Sequence, residues 1–428
     1  TEAVSTQVWS GDAAVHVSIV NWVKGQQAGK KLLQTQLGDK EDDPWKLEEV
    51  EEILPSLATG IDASSAIDLA ANEKPKKVFV GQYPFHEGFM ITPEEAAEWI
   101  LNEPKLSQCL RPYMIGRDLV ELGRPSRWII DFGQNDTFYA RSFERAFEHV
   151  KAKVMPDVLA HAEEEKAKTG KSTTRWTRVA ERWWQFRDYQ PGTINAVRSV
   201  QRYVACSRVT KRPIFEFISS SINPDNALTV FPFADDYSYG ILQSGLHFEW
   251  FKARCSTLKG DYRYTGDTVF NTFPWPQSPT KKQIGAVAAA ALALRDLRHE
   301  IMRKMNYSLR DLYRTLEVPG ANPLRDAQDK LDAAVRAAYG MTKSDSVLEF
   351  LLELNHACAA REKAGEAITP PGLPLPESEH AAFISKDCIF PETADGSSDE
   401  SRAAAAHFHS AVFLREGDVK YADGDSSI

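Results

Sequence analysis

A change of pattern after residue 277 constrains the fold of this chain most strongly. From Lys281 onward the apolar residues recur every three or four positions in three successive stretches. They are Ile284, Val287, Ala291, Leu294, Leu297 and Ile301, then Leu324, Ala327, Leu331, Val335 and Ala338, then a third stretch over about 345–363. This spacing places apolar side chains on one face of a helix. It predicts a small helical bundle at 278–371.

Before that point the sequence mixes short β patterns with helical ones. Strands are predicted within 15–20, 127–132, 213–220 and 227–233, and helices over about 139–168 and 238–257. Thr92, Pro93 and Glu95 have the spacing of a capping box at the start of another helix. A proline-bearing connector at 71–77 predicts a boundary. The fold class expected is α+β, with a mixed domain at 75–277 after residues 1–74.

Composition excludes several classes of protein. The five cysteines are scattered without a CxxC pair, so neither a disulfide framework nor a zinc site is expected. No apolar run reaches about 18 residues and no signal-peptide pattern begins the chain, which predicts a cytoplasmic protein without a membrane partner. The first residue is Thr1, so a piece of a longer chain is expected. Residues 372–428, rich in proline and then in Ser and Asp, predict a low-complexity tail.

A strongly basic segment interrupts an otherwise acidic chain. The net charge is −9, yet residues 171–212 contain ten Lys and Arg residues against only Glu181 and Asp188. Tryptophans are interleaved with the arginines there. Such a segment is typical of a surface for an anionic ligand. The alternative is a helix whose tryptophans belong to the core and whose arginines are solvated.

The sequence offers no catalytic constellation. TGKST at 169–173 resembles the end of a phosphate-binding loop, but Glu165 stands where that motif needs a glycine. Neither GxSxG nor HExxH occurs. Asp235 and Asp236 are explained by helix capping as well as by catalysis. We therefore predict no catalytic residue and no metal ligand in this chain.

Eight blocks of sequence, in order from about Val8 to about Pro374, resemble one family. They are VWSGDAAVHVSIVNWVKG, PYMIGRDLV, RWIIDFG, SRVTKRPIFEFISS, DDYSYGILQS, RYTGDTVFNTFPWPQSPT, LRDLYRTLEVPGANPL and LDAAVRAAYGM. The chain resembles the C-terminal half of the MmeI-type (type IIL) restriction-modification enzymes. Those are single polypeptides with a nuclease, a helical connector, an adenine-N6 DNA methyltransferase and a DNA target-recognition domain.

This resemblance implies a division of the chain. Residues 1–74 resemble the C-terminal edge of the methyltransferase, 75–277 the target-recognition domain and 278–371 the C-terminal helical domain. The family's S-adenosylmethionine motif and its Asn-Pro-Pro-aromatic motif do not occur here. The chain alone is therefore expected to be inactive and without a cofactor. S-adenosylmethionine, and a divalent metal for the nuclease, are expected in the full-length enzyme, with double-stranded DNA and the methyltransferase and nuclease portions of the same polypeptide as partners.

The resemblance also implies roles for individual residues. Asp261, Arg263 and Thr265 are two residues apart, so on a strand they share one face, and acid, guanidinium and hydroxyl groups match base edges. Tyr262 and Tyr264 would pack inward. Weaker base-reading candidates, by approximate position, are Thr229 and Asp136. The predicted phosphate contacts are Arg175, Arg178, Arg182, Arg187, Arg208, Lys211 and Arg212.

Three alternatives remain at this point. The strand at 261–265 could instead carry an Asp to Arg ion pair that faces water. The chain could be a helical protein-interaction scaffold without DNA specificity. It could also be an independent enzyme that acts on an anionic polymer through Asp235 and Asp236, which would need carboxylates of perturbed pKa in a cleft.

Overall fold

The computed structural model describes residues 2–9, 15–25, 28–38, 40–54, 57, 61–258 and 261–391, except for the side chains of Thr257, Leu258 and Asp261. Within these ranges the chain forms four small sheets and a helical C-terminal region, so the mixed α+β class is confirmed. None of the helices in these ranges is long and apolar enough to cross a membrane.

The N-terminal sheet consists of β1 (Glu2–Val8), β2 (His16–Asn21), β3 (Lys31–Gln36) and β4 (Trp45–Val50). Its order is β2-β1-β3-β4, and β1 runs parallel to β3 while the other pairs are antiparallel. The predicted strand at 15–20 corresponds to β2. Most residues of β2 are exposed, as are Trp22 and Val23 after it.

The middle of the chain builds three sheets and nine helices within the described residues. Its helices are α1 (Ala70–Glu73), α2 (Pro93–Asn102), α3 (Thr137–Arg141), α4 (Glu144–Lys153), α5 (Met155–Thr169), α6 (Arg175–Ala180), α7 (Pro191–Arg198), α8 (Asp236–Gln243) and α9 (Gly245–Arg254). Its strands are β5 (Phe79–Val80), β6 (Met90–Ile91), β7 (Leu110–Met114), β8 (Arg127–Ile130), β9 (Arg202–Ser207), β10 (Val209–Thr210), β11 (Glu216–Ser219), β12 (Asn223–Pro224), β13 (Leu228–Phe231), β14 (Ser256–Leu258) and β15 (Asp261–Arg263). The sheet orders are β12-β7-β8-β6, β11-β9-β13-β5 and β10-β15-β14.

Local sequence signals predicted several of these elements. The predicted capping box exists: the Thr92 hydroxyl accepts a bond from the Glu95 amide at 3.1 Å, and the Glu95 carboxylate accepts one from the Thr92 amide at 2.8 Å. The single helix expected at 238–257 is instead two helices, α8 and α9. Ser244 has an extended backbone and its hydroxyl caps α9 by accepting from the His247 amide. The polar cap at Ser244, within an apolar stretch of sequence, thus divides the predicted helix into α8 and α9.

The C-terminal region contains α10 (Lys281–Met305), α11 (Leu309–Arg314), α12 (Pro323–Tyr339), α13 (Val347–Lys363) and α14 (Glu377–His380), so the three predicted amphipathic helices are present. Their apolar faces join residues of β9, β11 and α8 in one hydrophobic cluster. The core is therefore continuous across residue 277. Residues 373–388, within the predicted tail, also contribute Leu373, Leu375, Phe383 and Cys388 to its edge.

A buried charge network joins the sheet to the helical region. Asp236, at the start of α8, binds Arg202 of β9 at 3.1 Å and also binds Arg295 of α10. Arg295 Nε donates to the Asp387 carboxylate at 2.7 Å, and the Ser385 amide donates to Asp236 at 2.9 Å. Burial alone would raise the pKa of Asp387, but the hydrogen bond and the charge of Arg295 outweigh burial and hold that pKa well below its usual range. Because each buried charge has partners of opposite sign, removing any one leaves an uncompensated charge.

Glycine allows α8 and α10 to approach closely, which gives a test of this packing. A Cβ at Gly240 would lie 2.7 Å from Val287 Cγ1 and 3.2 Å from Ala291 Cβ, whereas a Cβ at Gly285 of α10 meets nothing within 4 Å. Gly240→Ala should lower the free energy of unfolding by about 1–3 kcal/mol through overpacking. Gly285→Ala, the matched control, should raise it by about 0.5–1 kcal/mol because alanine favours the helix. Urea unfolding of both variants measures this, and equal effects would contradict the packing.

The buried His247 of α9 makes stability depend on pH. Its Nε2 lies 3.0 Å from the Tyr264 hydroxyl, and burial lowers the pKa of His247 to about 3. The unfolded chain takes up this proton below pH ~6.5 while the folded chain does not, so the contribution of His247 to stability falls as pH decreases from there toward 3. The difference in unfolding free energy between wild type and His247→Gln should therefore fall by up to about 1.4 kcal/mol per pH unit below pH ~6. Urea unfolding at pH 7, 6 and 5 tests this, and a constant difference would contradict it.

Candidate nucleic-acid interface

The basic segment folds into a cleft beside α6. Gly170 ends α5 with a left-handed backbone, and Thr174 caps α6 by accepting a bond from the Thr177 amide at 3.2 Å. The chain therefore turns sharply on both sides of the loop at 170–174. The open cleft so formed measures about 440 Å³ and is lined by Lys171, Arg175, Arg178, Arg182 and Arg187, with Glu165, Thr169, Thr173, Thr174, Val179 and Asp188.

The aromatic residues of the same segment point to the protein interior. Phe186 is buried, and the Trp183 ring lies 5.2 Å from the ring of Phe147 in α4. Trp184 Nε1 donates to the Asn135 carbonyl at 3.0 Å. The tryptophans thus anchor the segment to the core, as the alternative predicted, and the arginines line a cleft. That this cleft binds an anionic ligand stays a prediction.

A second cleft continues from the first. It measures about 520 Å³ and is lined by Lys76, Phe79, Val80, Gly81, Tyr83, Asp188, Gln190, Gly192, Thr193, Arg208 and Asn226. Asp188 lines both clefts. We call the two clefts together the basic groove, because seven Lys and Arg side chains line them against the carboxylates of Glu165 and Asp188 alone.

Both carboxylates of the groove are engaged by neighbours. Hydrogen bonds from Thr174 and from the Trp176 amide lower the pKa of Glu165, and the amide bond measures 2.9 Å. Asp188 binds Arg175 at 3.1 Å and Arg187 at 3.0 Å. The remaining groove cations define an electropositive channel, which suits a polyanion.

Arg208 and Arg263 lie side by side at the end of the groove. Arg208 follows β9, and its carbonyl accepts the Tyr264 amide at 2.8 Å, while β10 pairs Val209 with Arg263. Burial and the nearby positive charge of Arg263 lower the pKa of Arg208. Within the described residues Arg208 Nε is buried without a hydrogen-bond partner. An anion bound here would supply the missing acceptor and offset the repulsion.

Of the three base-reading residues predicted at 261–265, the structure describes the side chains of two. Arg263 and Thr265 are both half-buried, and the Thr265 hydroxyl bonds to that of Thr268. The side chain of Asp261 lies outside the described residues. Tyr264 is 2% exposed and Tyr262 packs against Phe251, as the alternation predicts. Arg263 thus lies half-buried on β15, whose neighbouring Tyr262 and Tyr264 pack into the aromatic core.

The two weaker base-reading candidates lie in different surroundings. Thr229 is buried in the middle of β13, opposite Cys206 on one side and Val80 on the other, and so lies away from any surface ligand. Asp136 is exposed and caps α3 by accepting from the Tyr139 amide at 2.9 Å. Its loop is bound to the basic segment through Asn135.

Not all cations of the basic segment face the groove. Arg202, one of the ten cations of the segment but not a predicted phosphate contact, is buried in the charge network with Asp236. Arg212 lies 5.0 Å from the Phe248 ring and 5.5 Å from the Tyr313 ring, which directs it toward the helical region. Lys211 is exposed outside both clefts.

Sequence reasoning missed several polar residues of the groove, including four from outside the basic segment's loop and α6. Lys76, Tyr83, Gln190 and Asn226 come from three separate segments and meet only in the folded chain. A weak signal existed for Lys76, which belongs to the basic run KPKK of the predicted connector at 71–77. The others show no local pattern.

The candidates for catalysis have structural roles. Asp235 caps α8 by accepting from the Ser238 amide at 2.7 Å, and Asp236 belongs to the buried charge network. Burial raises the pKa of Asp235. Over the ranges that the structure describes, no three His, Cys, Asp or Glu side chains are grouped as metal ligands.

Comparison with known proteins agrees with this geometry. Residues 69–277 match the family model described as the MmeI target recognition domain. DNA methyltransferase A of Bacillus subtilis (strain 168) is 36% identical over 132 residues, which are 30% of this chain and 14% of that protein. The structure of the type IIL restriction-modification enzyme MmeI in complex with DNA has the same fold, with a TM-score of 0.61 and 23% identity. That likeness covers 84% of this chain and 46% of the enzyme, so the chain spans less than half the length of either relative. Residues 69–277 of this chain are therefore similar to the MmeI target recognition domain.

Proposed function

We propose that this chain recognises a specific sequence in double-stranded DNA as the target-recognition part of a type IIL restriction-modification enzyme. The observation that carries the proposal is the basic groove, which reaches Arg208 beside the strand bearing Arg263, within residues that match the MmeI target recognition domain. A duplex carries one negative charge per ~1.7 Å, so a cationic channel attracts it whatever its sequence.

Two sets of residues would share the work. Phosphate contacts position a protein on the duplex, and contacts to base edges provide the specificity. Arg175, Arg178, Arg182, Arg187 and Arg208 line the groove and suit the first role, to which Lys211 and Arg212 add flanking charge. The role of contacting base edges suits Asp261, Arg263 and Thr265, and also Asp136 on the loop that is bound to the basic segment. Arginine can bind guanine with two hydrogen bonds, and a carboxylate can accept a hydrogen bond from cytosine.

The N-terminal sheet supports a place within a larger polypeptide. Apolar side chains of Ile19, Val20, Trp22 and Leu47 are exposed on or next to this sheet, and β1 pairs in parallel with β3. Large apolar side chains that are exposed close together mark surfaces that contact other protein. We assign residues 1–74 to the edge of an adenine methyltransferase domain, which would cover these side chains. Residues 278–371 would be the helical domain, and 372–428 its C-terminal extension.

In the full enzyme, the methyltransferase portion would extrude the target adenine and methylate its exocyclic nitrogen with S-adenosylmethionine. Extrusion costs a few kcal/mol of unstacking and unpairing, which the contacts of the groove would offset. The chain by itself would bind DNA without methylating it. A role as an interaction scaffold is disfavoured, since the apolar residues of α10 and α12 are used within the core.

Loss of one groove arginine should weaken binding to every sequence alike. Arg178 is exposed in the first cleft, so Arg178→Ala removes a phosphate contact. The slope of log affinity against log salt, measured by fluorescence anisotropy between about 50 and 200 mM salt, should become shallower by about 1. The control is Arg303→Ala, which removes an exposed arginine from α10 outside both clefts. An unchanged slope in Arg178→Ala, or an equal change in the control, would contradict the assignment.

Loss of Arg263 should instead relax one position of the recognised sequence. A bidentate contact to guanine discriminates by about 1–3 kcal/mol, so Arg263→Ala should lose that preference and keep the others. Affinities for a panel of duplexes, each with one base pair exchanged, measure this directly. Lys211→Ala, an exposed cation of the same neighbourhood, should leave every preference intact. If Arg263→Ala weakened all duplexes by one factor, β15 would not be the reading strand.

A further inference from the structure

Asp188 is an acid in the middle of the basic groove, and it binds cations from both sides. Arg175 Nη2 lies 3.1 Å from Asp188 Oδ1 and 3.2 Å from its Oδ2, and Arg187 Nε lies 3.0 Å from Oδ2. The backbone of Asp188 also pairs with that of Tyr83 in an antiparallel bridge. Its carboxylate is therefore fixed by the fold at the junction of the two clefts.

Arg187 is held in place by aromatic rings as well as by Asp188. Its guanidinium carbon lies 3.8 Å from the Phe85 ring centre, 4.9 Å from that of Tyr83 and 5.8 Å from that of Trp176. Phe85 has a φ of 79°, a backbone conformation that bulky residues rarely adopt. Such strain persists only where the surroundings enforce it, and it is concentrated at functional sites. Here it brings the Phe85 ring onto Arg187.

These contacts give the two arginines different freedom. The side chain of Arg187 is 15% exposed, whereas that of Arg175 is 62% exposed. Arg187 is thus part of the wall between the two clefts. Arg175 extends into the first cleft, and the Asp188 carboxylate holds one end of its guanidinium. Only Nη2 of Arg175 binds Asp188, so the three N–H groups on its Nε and Nη1 are not used by that carboxylate.

We propose that Asp188 is a positioning residue of the DNA interface, which orients Arg175 toward a phosphate beside the wall that the stacked Arg187 forms between the two clefts. The proposal rests on the proposed function and adds to it a residue whose charge opposes that of the ligand. It predicts that loss of the Asp188 charge weakens DNA binding, which is the opposite of what the change in net charge alone would do. Removing a negative charge from a cationic surface strengthens the attraction of a polyanion, yet removing a positioning acid weakens it because the arginine loses its orientation.

The experiment compares Asp188→Asn with wild type on a duplex of fixed sequence, by anisotropy over the same salt range. Asp188→Asn should bind several-fold more weakly, and its salt slope should be shallower by about 1, as if a cation had been lost. Arg175→Ala should give the same slope, and the double variant should be no weaker than Arg175→Ala alone, because both changes remove one contact. Glu163→Gln, which neutralises an exposed acid of α5 outside the clefts, is the control and should not weaken binding.

The other outcomes would contradict either the role of Asp188 or DNA binding itself. Equal or tighter binding by Asp188→Asn would show that the acid acts only through its charge and would overturn the inference alone. Weaker binding with an unchanged salt slope, a lower melting temperature and additive losses in the double variant would show a merely structural role and would overturn it too. Absence of duplex binding by wild type at low salt would overturn the proposed function itself, and the inference with it.

Discussion

The buried charge network around Asp236 is the interaction on which the rest of the structure depends. It fixes Arg202 at the start of β9, Arg295 in α10 and the segment 385–387 against one another. The same strand ends beside Arg208, which lies at the end of the basic groove next to Arg263. The strand is thus anchored in the core by a buried arginine at one end and leads to the half-buried cation Arg208 at the other. Buried charges are tolerated because each is paired and hydrogen-bonded.

An acidic protein can offer a DNA-binding surface because its charges are segregated. Two acids in or near the core are paired with cations, Asp387 with Arg295 and Glu216 with Arg298. The groove, by contrast, collects arginines around two acids that are themselves occupied. The local field therefore differs in sign from the net charge of −9. Affinity for a polyanion depends on that local field and on salt more than on the total charge.

The elements that sequence predicted well are those set by local interactions. Helices α2, α10, α12 and α13 follow from caps and from a 3.6-residue period, which involve neighbours in sequence. The basic segment could be found because its cations are close together in the chain. The division of α8 from α9 was missed because the hydroxyl of Ser244, in an apolar stretch, competes with the continuing helix.

The groove could be predicted only in part, since most of its geometry is tertiary. Whether an arginine faces solvent or core depends on distant partners, and Arg202 is buried because Asp236 and Asp387 meet it. Lys76 and Asn226 both line the groove, although about 150 residues of sequence separate them. Thr229 was a candidate by position alone, and its place in the central strand β13 depends on pairing with both β9 and β5.

The most direct test of the central claim is selection from a pool of randomised duplex DNA by this chain, at low and at moderate salt, followed by sequencing of the retained molecules. The account predicts that one short, non-palindromic sequence is enriched and that total retention falls steeply as salt increases, since phosphate contacts release counterions. Retention without enrichment at either salt concentration, or no retention at all, would contradict sequence-specific recognition by residues 69–277.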